Sequence, residues 1–380
     1  MKIALYTESR SGETRVALTP EAVKLLVKDG WSVDVQRGAG VKAHYLDSAY
    51  EAAGATILDR VSGDVNVRVN APTLEEVAAL PEGSMHLSFL SPLLQSDVVA
   101  AMNARNITTC TFDLLPRISR AQYMDALSSQ ATVSGYRAAL AGASHYERFF
   151  PLLTTAAGTI RPAKVLVMGV GVAGLQAIAT AKRLGAKVRA YDVRSAAKEE
   201  AESAGATFVV LGVTADAAGG YARELTDDER AQQQAALVSE VANADIVITT
   251  AAVPGRKAPI LLTTAMVEAM GEGSIVIDMA ADGGGNCELT VAGTVVEHHG
   301  VRVVGLTNPP AEMGAHASFM YANNVVKLLG LFGAGTLAPD WNDEIVRGVT
   351  VAHGGAIVHA ATAEKLGVAV GALPTTKEEQ

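Results

Sequence analysis

Six residues near the middle of the chain, Gly169-Val170-Gly171-Val172-Ala173-Gly174, have the spacing G-x-G-x-x-G. Such a turn can hold a pyrophosphate. The first glycine permits a tight bend, the second lets the backbone approach the ligand, and the third lets helix and strand pack closely. The phosphates then sit at a helix N-terminus, where free N–H groups and the helix dipole favour negative charge. Further on comes Asp192-Val193-Arg194. An acid at that distance accepts hydrogen bonds from the adenosine ribose hydroxyls and repels a 2′-phosphate, which favours NAD over NADP. Arg194, swung inward, would tolerate a phosphate.

Glycine spacing alone is weak; its context gives it weight. The run Val165–Met168 predicts a buried strand, Leu175–Leu184 a helix stopped by Gly185, and Lys187–Tyr191 a second strand that ends at Asp192. Strand, glycines, helix, strand and acid follow one another in the order that dinucleotide binding requires.

Three other segments carry polar groups at suggestive spacing. Pro116–Asp125 holds Arg117, Gln122 and Asp125, with Ser128 just beyond. Gln122 and Asp125 share a helix face, either as solvated groups at a helix start or as a grip on a ligand. Gly219-Gly220-Tyr221 lies in a stretch of little periodicity and suits either a mobile lid or an ordinary surface loop. Ala280–Cys287, with Gly284 and Asn286, follows an apolar strand. It is either a plain loop or a ligand loop at the carboxyl edge of a parallel sheet. His298-His299 precedes Gly300 with no acid at metal spacing and reads as a solvated turn, so no metal site is expected.

The elements around these segments alternate. Strands are expected at Lys2–Tyr6, Trp31–Gln36, Val65–Val69, Met85–Leu90 and Ile107–Phe112. A second set is expected at Thr207–Leu211, Ile246–Thr250, Ser274–Met279 and Val301–Leu306. Helices intervene, and Thr154–Pro162 reads as a hairpin or arm. The fold class is therefore α/β, with two Rossmann-like, doubly wound parallel-sheet domains separated by a cleft. Residues 1–125 with 318–380 form a discontinuous first domain, and 126–317 form the dinucleotide-binding one.

The chain has 380 residues, enough for two domains, with 49% hydrophobic and 19% charged residues. A net charge of −9 argues against nucleic acid or an anionic membrane surface as main partner. Cys110 and Cys287 stand far apart and make neither a metal motif nor a disulfide framework. The N-terminus lacks the regions of a signal peptide. The most apolar window, Val325–Ala338, is interrupted by Lys327 and too short to span a bilayer. A cytoplasmic chain without direct membrane insertion is expected.

These segments together resemble proton-translocating NAD(P) transhydrogenase, namely the soluble NAD(H)-binding component of its alpha subunit. Beyond Glu13–Ala17, Pro116–Asp125 and the fingerprint, Ser128-Ser129, Gly135-Tyr136-Arg137, Thr155–Gly158, Pro162–Val165, Gly219–Ala222 and Gly284–Cys287 carry the likeness. The resemblance implies that Arg117, Gln122 and Asp125 hold the dihydronicotinamide, with Ser128 close by, and that Tyr221 closes over the nucleotide. It further implies a homodimer and a membrane-spanning partner subunit. Hydride would pass to NADP(H) on a beta subunit, coupled to proton translocation at the inner membrane.

Two other readings compete. Alanine dehydrogenase resembles the same fold, but oxidative deamination needs a general acid/base. The lysine and histidine that supply it in that family correspond here to Arg68 and Phe89, while His86 lies an odd number of positions away along the strand. Arginine does not usefully deprotonate and phenylalanine cannot. Hydride exchange between two nicotinamides needs only alignment. A non-catalytic NAD(H) sensor is the third reading, and a polar grip on the nicotinamide argues against it.

Overall fold

The computed structural model describes residues 1–211, 225–251 and 257–374. They form two compact units, 1–130 with 311–380, and 131–310. The divisions thus follow Gln130 and Pro310, where the sequence pattern puts them after 125 and 317.

The first unit is built on β1 (Lys2–Leu5), β2 (Ser32–Gln36), β3 (Thr56–Leu58), β4 (Val65–Val67), β5 (Met85–Ser88) and β6 (Thr108–Thr111). A separate hairpin follows, β7 (Leu153–Thr155) with β8 (Gly158–Ile160). The second unit has β9 (Lys164–Met168), β10 (Lys187–Tyr191), β11 (Thr207–Phe208), β12 (Ile246–Thr249), β13 (Ile275–Asp278), β14 (Val295–His298) and β15 (Val301–Gly305). The chain then returns to the first sheet with β16 (Thr350–His353) and β17 (Ala356–Ile357).

The spatial orders are β17-β16-β6-β5-β4-β1-β2-β3 and β11-β10-β9-β12-β13-β15-β14. In both sheets the third, second, first, fourth and fifth strands of the unit lie side by side, the doubly wound order. Pairing is parallel except at one edge of each sheet. There β16 pairs antiparallel with β6 and with β17, and β14 pairs antiparallel with β15. The sequence pattern predicts purely parallel sheets. It does not reveal β14 and β16, because short edge strands need only one apolar face, and β14 alternates exposed and half-buried residues.

Alternation on β9 explains the two layers of helices. Val165 and Val167 join a core with Ile178 and Ala181 of the helix Val172–Arg183. Leu166 and Met168 join the opposite core with Leu237 and Val241 of the helix Asp227–Ala242. Successive strand side chains point to opposite faces, so a run apolar at every position must be covered on both. In the first unit Ile3 and Leu5 pack with Val325 and Leu328 of the helix Gly314–Leu329, and Ala4 packs with Val98 and Met102 on the other face.

Several side chains with chemical potential are consumed by this packing. Phe89 meets Phe112 and Tyr321 with ring centroids 5.9 and 5.4 Å away. His86 is fully buried in β5, its Nε2 3.0 Å from the Ser88 hydroxyl. Arg68 pairs with Glu76 at 3.0 Å and lies over the Tyr6 ring. Burial, helped by Arg68, pushes the His86 imidazole down to about 3. An unfolded histidine titrates near 6.5. Between these values only the unfolded chain binds the proton, so stability falls as pH drops below about 6.5. His353 and His359 are shifted the same way by burial. His86→Gln should therefore flatten, without abolishing, the loss of stability between about pH 6.5 and 5, as read by denaturant unfolding; an unchanged slope would contradict the assignment.

Candidate functional site

The glycine turn begins where β9 ends. Gly169 has φ +97°, and a Cβ on it would meet the Thr250 Oγ1 at 2.6 Å. That hydroxyl donates to the Gly169 carbonyl at 3.0 Å, which ties the turn to the residue after β12. Gly174 is tighter still, since a Cβ there would lie 2.0 Å from the Gly169 oxygen. The helix Ala126–His145 crosses the same place. A Cβ on Gly135 would lie 2.0 Å from the Ala173 carbonyl oxygen. Val170 is buried beneath the turn, whereas Val172 is exposed.

Gly171 differs from its neighbours. It has φ −77° and ψ −170°, a conformation open to any residue, and a Cβ on it would meet nothing within 4 Å. The protein's own packing does not require glycine there. What does require it is an approach from outside, at the N-terminus of the helix Val172–Arg183.

Asp192 ends the next strand and its carboxylate is only 8% exposed. Val170 N donates to Oδ2 at 2.7 Å and Arg194 N to Oδ1 at 2.8 Å. The Arg194 guanidinium adds Nε to Oδ1 at 2.9 Å and Nη2 to Oδ2 at 2.8 Å. Four donors fill the roughly four acceptor sites of a carboxylate. The sequence alone leads one to expect free Asp192 oxygens facing a ribose. In the structure Arg194 occupies them, and Val193 packs against the core beneath.

A second acid organises the glycine-rich loop beyond β13. The Asp278 carboxylate accepts from Ala280 N at 2.9 Å, Asn286 N at 2.6 Å, Cys287 N at 3.0 Å and the Thr290 hydroxyl at 2.6 Å. This buried anion folds the loop that carries Gly284 and Asn286. The Asn286 amide donates to the Ala251 and Pro259 carbonyls, both at 2.8 Å, so its orientation is set. Its Oδ1 is buried and has no partner among the described residues. Gly284, at φ +99°, is exposed beside it. Asp278 is absent from the residues that the sequence pattern singles out, although an acid closing an apolar strand before a glycine run repeats the pattern of Asp192.

Gly169, Gly171, Gly174, Asp192, Arg194, Gly284 and Asn286 thus all lie beyond the carboxyl ends of β9, β10 and β13, in the second unit. Arg117, Gln122, Asp125 and Ser128 belong to the first. There a 3₁₀ turn, Ser119–Met124, precedes the helix Ala126–His145. Asp125 Oδ1 accepts from Ser128 N at 2.8 Å and Oδ2 from the Ser128 hydroxyl at 2.5 Å, which caps that helix. Arg117 and Gln122 are exposed, while Arg120 of the same segment pairs with Asp343 at 2.6 Å. Tyr221, with Gly219 and Gly220, lies outside the described residues.

Residues 4–134 match the family model "Alanine dehydrogenase/PNT, N-terminal domain" and residues 138–360 match "Alanine dehydrogenase/PNT, C-terminal domain". The chain belongs to the alanine dehydrogenase/PNT family. Within it, the chain is 47% identical over 378 residues to the first portion of the NAD(P) transhydrogenase alpha subunit of Rhodospirillum rubrum, a separate polypeptide there, covering 95% of this chain and 98% of that one. The crystal structure of transhydrogenase from Sinorhizobium meliloti matches with a TM-score of 0.84 at 40% identity, over 95% of this chain and 100% of that one. Alanine dehydrogenase of Bacillus subtilis is more distant, 28% identical over 86% of this chain and 84% of its own. The family relationship accounts for the two doubly wound units, and the identities favour the transhydrogenase branch over the dehydrogenase.

The turn makes opposite demands at two of its glycines. Gly171→Ala should unfold within about 0.5 kcal/mol of wild type, whereas Gly174→Ala should lose on the order of 2 kcal/mol or more. Equal losses in chemical unfolding would mean that Gly171 is packed after all.

Proposed function

We propose that this chain is the NAD(H)-binding component of a proton-translocating NAD(P) transhydrogenase. The observation that carries the reading is Gly171, a glycine kept where the fold leaves open space, inside a turn whose other glycines are sterically required. The unpartnered Asn286 Oδ1 supports it, because a buried acceptor calls for a ligand N–H or O–H.

The N–H groups at the start of the helix Val172–Arg183 would receive the pyrophosphate, and Gly171 would let it approach the backbone. Asp192 would accept from the adenosine ribose, with the Arg194 guanidinium giving up one of its two bonds to make room. Gly284 and Asn286 would border the nicotinamide half. On the first unit, Arg117 and Gln122 would position the dihydronicotinamide. Asp125, already committed to Ser128, would act by holding that segment in place.

Bound there, the dinucleotide supplies hydride for exchange with NADP(H) held by a beta subunit. No proton leaves a nitrogen or oxygen of the substrate in such an exchange, so the protein needs to align two rings and nothing more. The first unit fits that economy. Phe89 is locked in an aromatic cluster and His86 is buried and neutral, so neither is a base. The alanine dehydrogenase reading lacks its acid/base group. The proposal includes a homodimer, a membrane-spanning partner subunit that couples the exchange to proton translocation, and a cytoplasmic position at the inner membrane.

Nucleotide choice tests the site. Asp192→Asn should weaken NADH binding by about one to two orders of magnitude, since a charge-assisted hydrogen bond is worth roughly 1.5–3 kcal/mol. Arg194→Met should sharpen discrimination against NADPH, because it leaves the Asp192 charge uncompensated. NADH fluorescence titrations read both, and wild type binding NADH and NADPH equally would defeat the assignment. Turnover tests the reaction. The purified chain should form no NADH from NAD and alanine, but should exchange hydride between NADPH and an NAD analogue once an NADP-binding partner is added. Robust alanine oxidation would hand the chain to the dehydrogenase reading.

A further inference from the structure

We propose that Glu268, His298 and His299 form a binding site for a divalent transition-metal ion such as zinc, nickel or copper(II). The sequence places no acid near the two histidines. The fold brings one from thirty residues away, as the last residue of the helix Thr264–Glu268.

Two consecutive histidines on a strand would point to opposite faces. Here they do not, because β14 ends at His298 and turns back into β15 through His299 and Gly300, at φ +48° and +71°. This is the left-handed two-residue turn of tight hairpins. The turn swings the His299 ring to the same side as the His298 ring, with centroids 4.8 Å apart. Both Nε2 atoms then face one carboxylate oxygen. His298 Nε2 lies 2.9 Å from Glu268 Oε1, and His299 Nε2 lies 3.8 Å from it. All three prospective ligand atoms lie within 4.8 Å of one another.

Those separations suit a metal. Ligands about 2.1 Å from a tetrahedral ion stand about 3.4 Å apart, between the two distances observed. Small side-chain rotations would close the set. Two imidazoles and one carboxylate select borderline ions, whereas magnesium and calcium require mostly oxygen donors. The hydrogen bond from His298 holds the Glu268 carboxyl below its usual range, which keeps that ligand anionic. Glu268 and His299 are exposed and His298 is half-buried, so water can complete the coordination.

The site lies where β15 begins, whereas the candidate dinucleotide residues lie beyond the strands' opposite, carboxyl ends. An ion would clamp the edge hairpin to the helix Thr264–Glu268 without touching nucleotide. The two functions can therefore be tested apart.

Chelator-stripped full-length protein titrated calorimetrically with zinc should bind one ion per chain with a dissociation constant on the order of micromolar. Magnesium should give no heat. His299→Asn retains a residue suited to the left-handed turn, and Glu268→Gln changes only an exposed side chain. Each should weaken zinc by about tenfold or more while leaving NADH affinity unchanged. Copper(II) should show two-nitrogen coupling in its paramagnetic resonance spectrum, reduced to one nitrogen in His299→Asn. Absence of stoichiometric zinc binding, or zinc affinity and copper spectra unaltered in both variants, would overturn the proposal.

Discussion

The second unit depends on one close backbone approach, that of Gly174 to the Gly169 carbonyl. A single added Cβ would stand 2.0 Å from that oxygen, so the strand-to-helix turn exists only with glycine at this position. Because the turn is this tight, the helix that follows starts directly above the end of β9 and its free N–H groups face outward. The surrounding ties hold the turn from three sides. Thr250 bonds the Gly169 carbonyl, Asp192 receives the Val170 amide, and Gly135 admits the Ala173 carbonyl against a neighbouring helix. An anion site made of backbone needs such support, because the donors themselves carry no side chain that could adjust.

The first unit shows what the same strand order does without that turn. At the carboxyl end of β4 the Val69 and Asn70 amides are free of the ladder, as donors in a ligand site would be. The Glu8 carboxylate fills them, with Oε1 2.6 Å from Val69 N and Oε2 3.2 Å from Asn70 N. Asn70 then bridges Glu8 to Glu13 at 3.0 and 2.9 Å, and Glu13 forms a two-pronged pair with Arg15. Burial pushes the Glu8 carboxyl up, while the Arg15 pairing overcomes burial and holds Glu13 down at about 2. The unit therefore supplies its own anion at the place where a doubly wound sheet takes a ligand. One topology thus yields an open site and a self-filled one, and side chains at the strand ends decide between them.

What the sequence discloses follows from how local each feature is. The fingerprint, the Asp192 that follows it, and the strand runs are contiguous patterns, and each is legible because the geometry that needs them spans only a few residues. Saturation of Asp192 by Arg194 is half legible. The two residues are neighbours, yet nothing in their spacing says that the guanidinium turns inward. Asp278 escapes a reading by pattern because its partners lie on a loop it folds itself. The meeting of Glu268 with His298 and His299 has no signal at all, since it depends on the edge strand β14, whose polar alternation hides it. Residues 212–224, which include Tyr221, lie outside the described residues.

Absence of a base in the first unit is a matter of packing as much as of residue type. His86 would be the natural candidate by chemistry, but it lies in the interior of β5 between β4 and β6, opposite Asn66 and Thr109. Burial keeps it neutral and its Nδ1 has no partner among the described residues. Just past the end of β5, Phe89 points into the aromatic cluster with Phe112 and Tyr321, and the Tyr321 hydroxyl is spent on the Arg68 carbonyl at 2.8 Å. To install a proton-transfer group, the chain would have to break that cluster and bear the desolvation of a new polar atom at once. A protein that only aligns two rings escapes this conflict, and the first unit can stay a fully packed support.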